Sequence, residues 1–434
     1  MKYNNFVQTE LGLLPKDWEV KKLGDELYIK GRIGWKGLKK DEYLVESPYR
    51  IINGSNIINN KIDWKNCGYI SKDRYSESPE IMLQKNDIVI TKDGTIGKVA
   101  KVNSLEKPTS VASGLFIIRN ISKIIDTNYL FYYFNSHYFK GLVSSRTEGS
   151  VIPHLYQRDF VSMKIPLPKL KEQKKIATIL SSLDEKIEIN NQINKKLEEM
   201  AQAIFKHWFV DFEFPNENGE PYKSSGGEMV ESELGLIPKG WKVTKIGDVT
   251  KIVRGASPRP IQSYLSNTGM PWVKISDASE SNTKYIYKTK EFIKNEGISK
   301  SRVVLPGTLI LSNSATPGIP KFMLIKACVH DGWLIFNDYK DISKEYLYYC
   351  LIREREGILS LSNGSVFRNL KTDILKNYKI IIPDNKVLNK IQNYFFTTNK
   401  EIEKRTIENE VLKNIRDTLL PKLMSGEIRV PVEE

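Results

Sequence analysis

The sequence predicts a mixed α/β chain: two α/β domains in a pseudo-twofold arrangement, separated by two long helices that form an antiparallel coiled coil. Three observations predict this fold class. The phrase ELGLLPKDW at Glu10–Trp18 recurs as ELGLIPKGW at Glu233–Trp241. Short apolar runs followed by polar, Gly-bearing loops recur at a similar spacing, which is typical of strands and their turns. Each half then ends in a long helical stretch with a heptad pattern.

Length and composition limit the possible classes of protein. With 434 residues, the chain is long enough for two or more cores. Its 66 Lys and Arg against 52 Asp and Glu give a net charge of +14, which favours a polyanionic partner, although a Lys-rich genome would give the same balance. Cys67, Cys328 and Cys350 lack CxxC spacing, which argues against disulfides or zinc. No apolar run approaches the ~18 residues of a membrane span, so we expect a cytoplasmic protein.

The repeat extends through most of each half. Segments 10–25 and 233–248 share 11 of 16 residues at an offset of 223. LQKNDIVITKDGTIGK at 83–98 then parallels LPGTLILSNSATPGIPK at 305–321, and GSVIPHL at 149–155 parallels GSVFRNL. A period above 200 residues indicates a duplicated domain, since solenoid units have ~20 to 50 residues. The stretches between, such as KGRIGWKGLKKDEY and VRGASPRPIQSYL, differ, so two similar scaffolds carry two different surfaces.

These patterns predict six segments: a first domain at 1–168, a long helix at 169–212, a linker at 213–232, a second domain at 233–384, a second long helix at 385–427 and a tail at 428–434.

The two long helices are expected to pair along one seam. In the first helix, apolar residues and two asparagines are spaced alternately by 4 and 3, over about 48 Å at ~1.5 Å per residue. If Ile176 lies level with Leu423, partner numbers sum to 599 and Asn190 lies opposite Asn409. The alternative is that each helix packs only on its own domain. The predicted seam consists of Ile176, Leu180, Leu183, Ile187, Asn190, Asn194, Leu197, Ile204, Ile391, Phe395, Ile402, Asn409, Leu412 and Leu419.

The combination resembles the specificity subunit of type I restriction-modification systems, over nearly the whole chain. The resemblance rests on the repeated opening phrase and on EQKKIATILSSLDEKIEINNQ, FKHWFVDFEFP and LLPKLMSGEIRV. It implies two target-recognition domains that each read one half of a bipartite sequence in double-stranded DNA. It also implies two adenine-methylating modification subunits and restriction subunits with translocase and nuclease activity. S-adenosylmethionine, ATP and Mg would be bound by those partners, with no cofactor on this chain.

Motifs for catalysis are missing from the sequence. There is no phosphate-binding GxGxxG or GxxxxGK[ST], no Asp/Asn-Pro-Pro-aromatic motif, and no HxH or HExxH among the four histidines. We therefore expect neither catalytic nor metal-binding residues. Two alternatives stay open: a stand-alone metal-dependent nuclease or modifying enzyme, and a scaffold that binds protein rather than DNA.

Candidate DNA-contacting residues lie in the polar loops that differ between the halves, because Arg, Lys, Asn and Gln read base edges while Lys, Arg and hydroxyls bind phosphates. In the first domain the candidates are Arg32, Trp35, Lys36, Lys39, Lys92, Asp93, Thr95, Arg146, His154, Gln157 and Arg158. In the second they are Arg254, Ser257, Arg259, Asn313, Ser314, Thr316, Asn363, Ser365, Arg368, Asn369 and Lys371. The aromatic tract NYLFYYF is expected to be a core helix rather than a base-stacking platform.

Overall fold

A computed structural model describes residues 5–24, 26–32, 37–147, 154–281, 283–361 and 369–431. The chain divides into two compact units, Met1–Lys186 with Leu412–Glu434, and Ile187–Val411. Each unit contains one mixed α/β domain. Each also contains part of the two long helices, α5 at Leu170–Phe209 and α12 at Asn385–Met424. The predicted fold class is thereby confirmed for its two mixed domains and its two long helices.

The first domain is built from short strands and a few helices. Its helices are α1 Lys72–Ser76, α2 Thr127–Asn135, α3 His137–Thr147 and α4 Gln157–Ser162, with 3-10 turns at Lys40–Glu42, Gly54–Asn56 and Pro79–Ile81. Its strands are β1 Phe6–Thr9, β2 Gly12–Pro15, β3 Glu19–Lys22, β4 Leu27–Gly31, β5 Tyr49–Ile52, β6 Ile57–Ile58, β7 Lys61–Ile62, β8 Gly68–Ile70, β9 Ile88–Thr91, β10 Val99–Lys101, β11 Thr109–Val111, β12 Leu115–Asn120 and β13 Lys164–Leu167.

The strands of the first domain form two main sheets and three short ladders. One sheet has the antiparallel order β10-β9-β12-β4, and the other has the order β11-β5-β8, in which β11 and β5 are parallel. The ladders are β1-β2, β3-β13 and β6-β7. A buried cluster that includes Ile52, Val89, Val111 and Ile117 packs between the two sheets. The predicted core helix is confirmed, since α2 buries Tyr129, Leu130, Tyr132, Tyr133 and Phe134.

The second domain repeats this plan with extra strands. Its helices are α6 Ile246–Val249, α7 Ile275–Glu280, α8 Asn295–Ile298, α9 Lys344–Arg353, α10 Arg355–Ser360 and α11 Thr372–Asn377, with a 3-10 turn at Ile261–Ser263. Its strands are β14 Met229–Ser232, β15 Gly235–Pro238, β16 Lys242–Lys245, β17 Lys251–Arg254, β18 Leu265–Ser266, β19 Met270–Val273, β20 Tyr285–Ile286, β21 Glu291–Ile293, β22 Arg302–Val304, β23 Leu309–Ser312, β24 Pro320–Met323, β25 Ala327–Val329, β26 Trp333–Asn337 and β27 Lys379–Ile382.

Corresponding strands take corresponding places in the second domain. The sheet β17-β26-β23-β24-β20 reproduces β4-β12-β9-β10 and adds β20 at one edge. The sheet β18-β21-β19-β25-β22 reproduces β8-β5-β11 and extends it on both sides. The ladders β14-β15 and β16-β27 match β1-β2 and β3-β13. The strand β14 lies in the segment predicted as a linker, 213–232, so the first hairpin of this domain begins before the predicted boundary at 233.

In the first unit, the two long helices meet on the domain core. Ile176 and Leu180 of α5 are fully buried in one cluster with Leu420 and Leu423 of α12. Arg416 Nη1 donates to Asp184 Oδ1 at 2.6 Å. Tyr132 Oη of α2 donates to the other oxygen of this carboxylate at 2.8 Å, so both helices pack on the first domain here. The alternative, in which each helix packs only on its own domain, is therefore wrong for α12, which follows the second domain.

In the second unit, the pairing falls at the predicted register. Asn190 Nδ2 donates to Asn409 Oδ1 at 2.9 Å, and Asn409 Nδ2 donates to Asn191 Oδ1 at the same distance. Further along, Lys284 of the domain contacts Glu198 of α5 at 2.6 Å and Asn399 of α12 at 2.7 Å. Because α5 numbers rise where α12 numbers fall, the helices run antiparallel in this unit.

The predicted seam residues are all shielded from solvent. Leu183, Leu197, Ile204, Leu412 and Leu419 are half-buried. The others are buried: Ile176, Leu180, Ile187, Asn190, Asn194, Ile391, Phe395, Ile402 and Asn409. The aromatic end of α5 packs on the second domain, where Phe209 lies 5.9 Å from Trp241 and 5.1 Å from Tyr346 between ring centroids.

Candidate nucleic-acid interface

The loop after β9 is closed by Thr91, the last residue of that strand. Thr91 Oγ1 donates to the carbonyl of Thr95 at 2.6 Å and accepts from Lys98 N at 2.9 Å. Gly97 N donates to Thr91 O at 2.9 Å, and Gly97 adopts a φ of 81°, a conformation that favours glycine. These bonds fix a tight loop whose tip, with Asp93 and Thr95, is exposed.

Three chain segments meet at Lys92, the first residue after β9. Lys92 N donates to Gly114 O at 2.9 Å, and Leu155 N donates to Lys92 O at 3.0 Å. The Lys92 ammonium lies 4.9 Å from the ring centroid of Phe116. His154 Nδ1 pairs with the Asp93 carboxylate. The structure therefore brings Lys92, Asp93 and His154 together with Thr95 nearby.

The remaining first-domain candidates are dispersed. Lys39, Gln157 and Arg158 are exposed, and the Arg158 guanidinium lies 4.7 Å from the Tyr156 ring. Arg146 Nη2 donates to Asp159 Oδ1 at 2.5 Å, which ties α3 to α4 and occupies part of its guanidinium. Trp35 and Lys36 lie outside the described residues.

Arg32 requires a correction. Its side chain is only 2% exposed, and it donates from Nε to Val111 O at 3.1 Å and from Nη2 to Ser110 Oγ at 3.2 Å. Because its guanidinium is buried and hydrogen-bonded to β11, Arg32 cannot reach a base edge of DNA. We therefore remove Arg32 from the candidate set and assign it a packing role between the two sheets.

The second domain builds the same loop with different side chains. Ser312 takes the place of Thr91: its Oγ donates to Thr316 O at 2.7 Å and accepts from Ile319 N at 2.9 Å. Asn313 takes the place of Lys92, with Asn313 N donating to Gly332 O and Leu370 N donating to Asn313 O, both at 2.8 Å. Main-chain bonds and one hydroxyl group thus define this framework in each domain.

Asn313 also requires a correction, because it is only 4% exposed. Its Nδ2 donates to Asp331 O at 3.3 Å, while its Oδ1 has no hydrogen-bond partner among the described residues. Its position beneath the loop excludes direct base reading. Ser314 is half-buried, and Thr316, Asn369 and Lys371 are exposed. Asn363, Ser365 and Arg368 lie outside the described residues.

Asp331 holds the predicted arginine loop of the second domain in place. Its Oδ1 accepts from Ser257 Oγ at 2.6 Å, and its main-chain carbonyl accepts from Arg254 Nε at 2.7 Å. Nη2 of Arg254 and of Arg259 lie 3.8 and 3.6 Å from Oδ2. Burial opposes ionisation of Asp331, but the Ser257 hydrogen bond and the adjacent positive charges outweigh it and lower the pKa of the carboxyl. The ionised carboxylate therefore holds both guanidinium groups while leaving Arg259 76% exposed.

His330 lies beside the same cluster and contacts Asp331. Its Nδ1 accepts from Gly332 N at 2.8 Å, and its Nε2 lies 3.1 Å from Asp331 Oδ1. Burial lowers the pKa of His330 despite the carboxylate beside it. The imidazole is thus neutral at pH 7, with its proton on Nε2.

Asp331 was absent from the predicted set. The sequence contains a weak signal for this residue. Gly332 aligns with Gly114 of the first domain, and this alignment places the polar pair His330-Asp331 in the turn before β26. Its partner Ser257 lies 74 residues away, so only the tertiary fold brings them together.

Two features are absent from the residues that the structure describes. No helix in that part of the chain is long and apolar enough to cross a membrane. No group of three or more His, Cys, Asp or Glu side chains in the same residues could hold a metal ion.

Comparison with known proteins identifies the family. The sequence profile of the type I restriction modification DNA specificity domain matches the chain twice, at residues 15–199 and 238–413. The type I restriction enzyme MjaIX specificity subunit of Methanocaldococcus jannaschii is 29% identical, over 98% of this chain and 96% of its own length. The HindI specificity subunit of Haemophilus influenzae is 25% identical, over 87% of this chain and 94% of its own length.

A solved structure agrees with this fold. The crystal structure of a type I restriction-modification S subunit from M. genitalium superposes with a TM-score of 0.56 at 16% identity, over 94% of this chain and 96% of that one. The two profile matches together span well over half of the sequence, and each contains one of the loop frameworks described above. The chain therefore belongs to the type I restriction modification DNA specificity family.

Proposed function

We propose that this chain is the DNA specificity subunit of a type I restriction-modification enzyme and that each of its two domains reads one half of a bipartite target. The observation that carries the proposal is the duplicated loop framework with unlike side chains. Lys92, Asp93 and His154 occupy one copy, whereas Asp331, Arg254 and Arg259 dominate the other. Two equal scaffolds with different polar surfaces suit two different half-sites.

The charges of the chain support a nucleic-acid partner. Its net charge of +14 favours binding to phosphates, which supplies most of the sequence-independent affinity for DNA. Sequence reading then depends on a few side chains that reach base edges. Arg259 fits this role, because an exposed guanidinium held by a carboxylate can form a bidentate contact with guanine.

The chemistry would be carried out by partner subunits. Modification subunits that use S-adenosylmethionine would methylate adenine, and restriction subunits that use ATP and Mg would translocate and cleave DNA. This chain would recruit them and choose the site, without catalysis of its own.

A binding selection tests the proposal. The chain is purified with its modification subunit, incubated with random duplex DNA, and the bound fraction is sequenced. We expect one split motif with a fixed gap between its halves. Enrichment of a single continuous motif, or of none, would contradict the proposal, and cleavage of the duplex by the purified chain with Mg would favour the nuclease alternative.

A further inference from the structure

The loop tip of the first domain carries an acidic residue, Asp93, directly after Lys92. The matching position of the second domain is Ser314, which is uncharged. The Asp93 side chain is 44% exposed, so a binding partner can reach it. A carboxylate is repelled by phosphates, so its place on a surface that would bind DNA requires a compensating contact.

His154 holds the Asp93 carboxylate in place. Its Nδ1 pairs with Asp93 Oδ1, and because a carboxylate only accepts, the histidine nitrogen is the donor. The adjacent residue, Leu155, donates from its main-chain N to Lys92 O at 3.0 Å, which fastens the His154 segment to the loop. Among the residues that the structure describes, Asp93 Oδ2 has no hydrogen-bond partner. One carboxylate oxygen is therefore fixed, and the other is available.

The basic side chains beside this pair lie over aromatic rings. The Lys92 ammonium is 4.9 Å from one ring centroid, and the Arg158 guanidinium is 4.7 Å from the centroid of Tyr156. The Tyr156 ring in turn lies 4.5 Å from the ring of His154. Lysine and arginine are suited to phosphates, so these two cations can hold the loop on the DNA backbone while the carboxylate faces the base edges.

The donor pattern of the major groove narrows the choice of base. A carboxylate accepts from an exocyclic amino group, which cytosine offers at N4 and adenine at N6. Guanine O6 and N7 and thymine O4 are acceptors and would repel it. Adenine also has the acceptor N7 beside its amino group, whereas cytosine has no acceptor there. Cytosine therefore suits a lone carboxylate oxygen best.

We propose that Asp93 reads a cytosine in the half-site of the first domain and that His154 positions its carboxylate. The inference rests on the proposed function and names the base that one loop recognises. Asp93 Oδ2 would accept a hydrogen bond from cytosine N4, while His154 keeps Oδ1 fixed. That half-site should therefore contain a C·G pair whose recognition depends on Asp93.

The test is a selection from random duplex DNA by the full chain bound to its modification subunit. Asp93→Ser removes the carboxylate and introduces the residue that the second domain has at the matching position. Asp73→Ser makes the same change at another exposed position of the first unit and is the control. His154→Leu removes the donor to the carboxylate, whereas His154→Asn keeps a donor near the place of Nδ1.

We expect the wild-type complex to select a split motif with a C·G pair in one half, and Asp93→Ser to lower the preference for that pair about tenfold. The other half of the motif should stay unchanged in every variant, which also shows that the variants are folded. His154→Leu should weaken the same preference, His154→Asn should retain most of it, and Asp73→Ser should select the wild-type motif.

Two results would overturn the inference and leave the proposed function standing. One is a motif that Asp93→Ser leaves unchanged or weakens equally at every position, since a merely structural role has no base preference. The other is a loss of preference confined to an A·T pair, which contradicts the assignment of cytosine. A wild-type complex that selects no split motif overturns the proposed function as well.

Discussion

At the scale of single residues, Asp331 holds the polar side chains around the loop 254–259 of the second domain. It contacts Ser257, Arg254, Arg259 and His330 through one carboxylate and one carbonyl. Arginine side chains lose conformational freedom when they bind, and a preorganised pair loses less. If the two arginines bind DNA as proposed, the carboxylate would contribute to binding without touching DNA.

Asp331→Asn should reduce sequence discrimination in one half-site only. The amide keeps the shape of the side chain but no longer attracts the two guanidinium groups, so we expect discrimination against wrong bases in that half to fall about tenfold. Asp341→Asn makes the same charge change at an exposed position of the same unit and serves as the control. Competition binding with base-substituted duplexes measures both variants, and equal loss in both half-sites would contradict the assignment.

Lys321 makes the stability of the second unit depend on pH. It is 7% exposed, and its ammonium contacts the carbonyls of Ser281 and Thr283. Burial lowers its pKa from 10.5 to about 8, although Glu198 opposes the change. Between about pH 8 and 10.5 the unfolded chain therefore binds more protons than the folded chain. The stability that depends on an uncharged Lys321 is fully present above pH 10.5 and is lost as the pH falls through 8.

The wild type should therefore gain stability relative to Lys321→Met as the pH rises. The difference in free energy of unfolding should grow by up to about 3 kcal/mol between roughly pH 7 and 11, at about 1.4 kcal/mol per pKa unit. Urea unfolding at each pH measures it, with the exposed Lys326→Met as control. A difference that stays constant with pH would show that Lys321 titrates normally.

At the scale of elements, the helix pair shows what the sequence predicts well. The heptad count placed Asn190 opposite Asn409, and the two amides are hydrogen-bonded. Regular helical geometry makes such a prediction possible, because one assumed contact fixes the whole register. The strands β9 and β23 and the loops after them were likewise predicted, from short apolar runs that end in Gly-bearing segments.

Prediction failed where tertiary contacts decide the role of a polar residue. Arg32 and Asn313 are in polar loops by sequence, yet both are buried by segments distant in the chain. Asp331 was missed for the same reason. Loop composition therefore predicts a region for the candidate site, but it does not predict which of its side chains point outward.

The two seam asparagines of α5, Asn190 and Asn194, should respond oppositely to replacement by leucine. Asn194 is 5% exposed, and neither amide atom has a hydrogen-bond partner among the described residues, so Asn194→Leu should stabilise the protein by about 1 to 3 kcal/mol. Asn190→Leu deprives Asn409 of its donor and should destabilise the protein by a similar amount. Thermal unfolding measures both, and stabilisation by Asn190→Leu would argue against a role for this pair in fixing register.

At the scale of the whole molecule, duplication accounts for what is kept and what differs. The hairpins, the loop frameworks and the long helices recur in both halves, because each half needs the same scaffold. The side chains on the loop tips differ, because each half would face a different DNA sequence. We expect this division between scaffold and loop tips to determine the choice of target rather than catalysis.

The most direct test maps methylated adenines in a methylase-free host that expresses the chain together with its modification subunit, beside hosts that express each protein alone. We expect methylation only with both proteins, at one split motif with a fixed gap. Methylation of the same motif by the modification subunit alone would show that this chain does not choose the target and would contradict its proposed role as the specificity subunit.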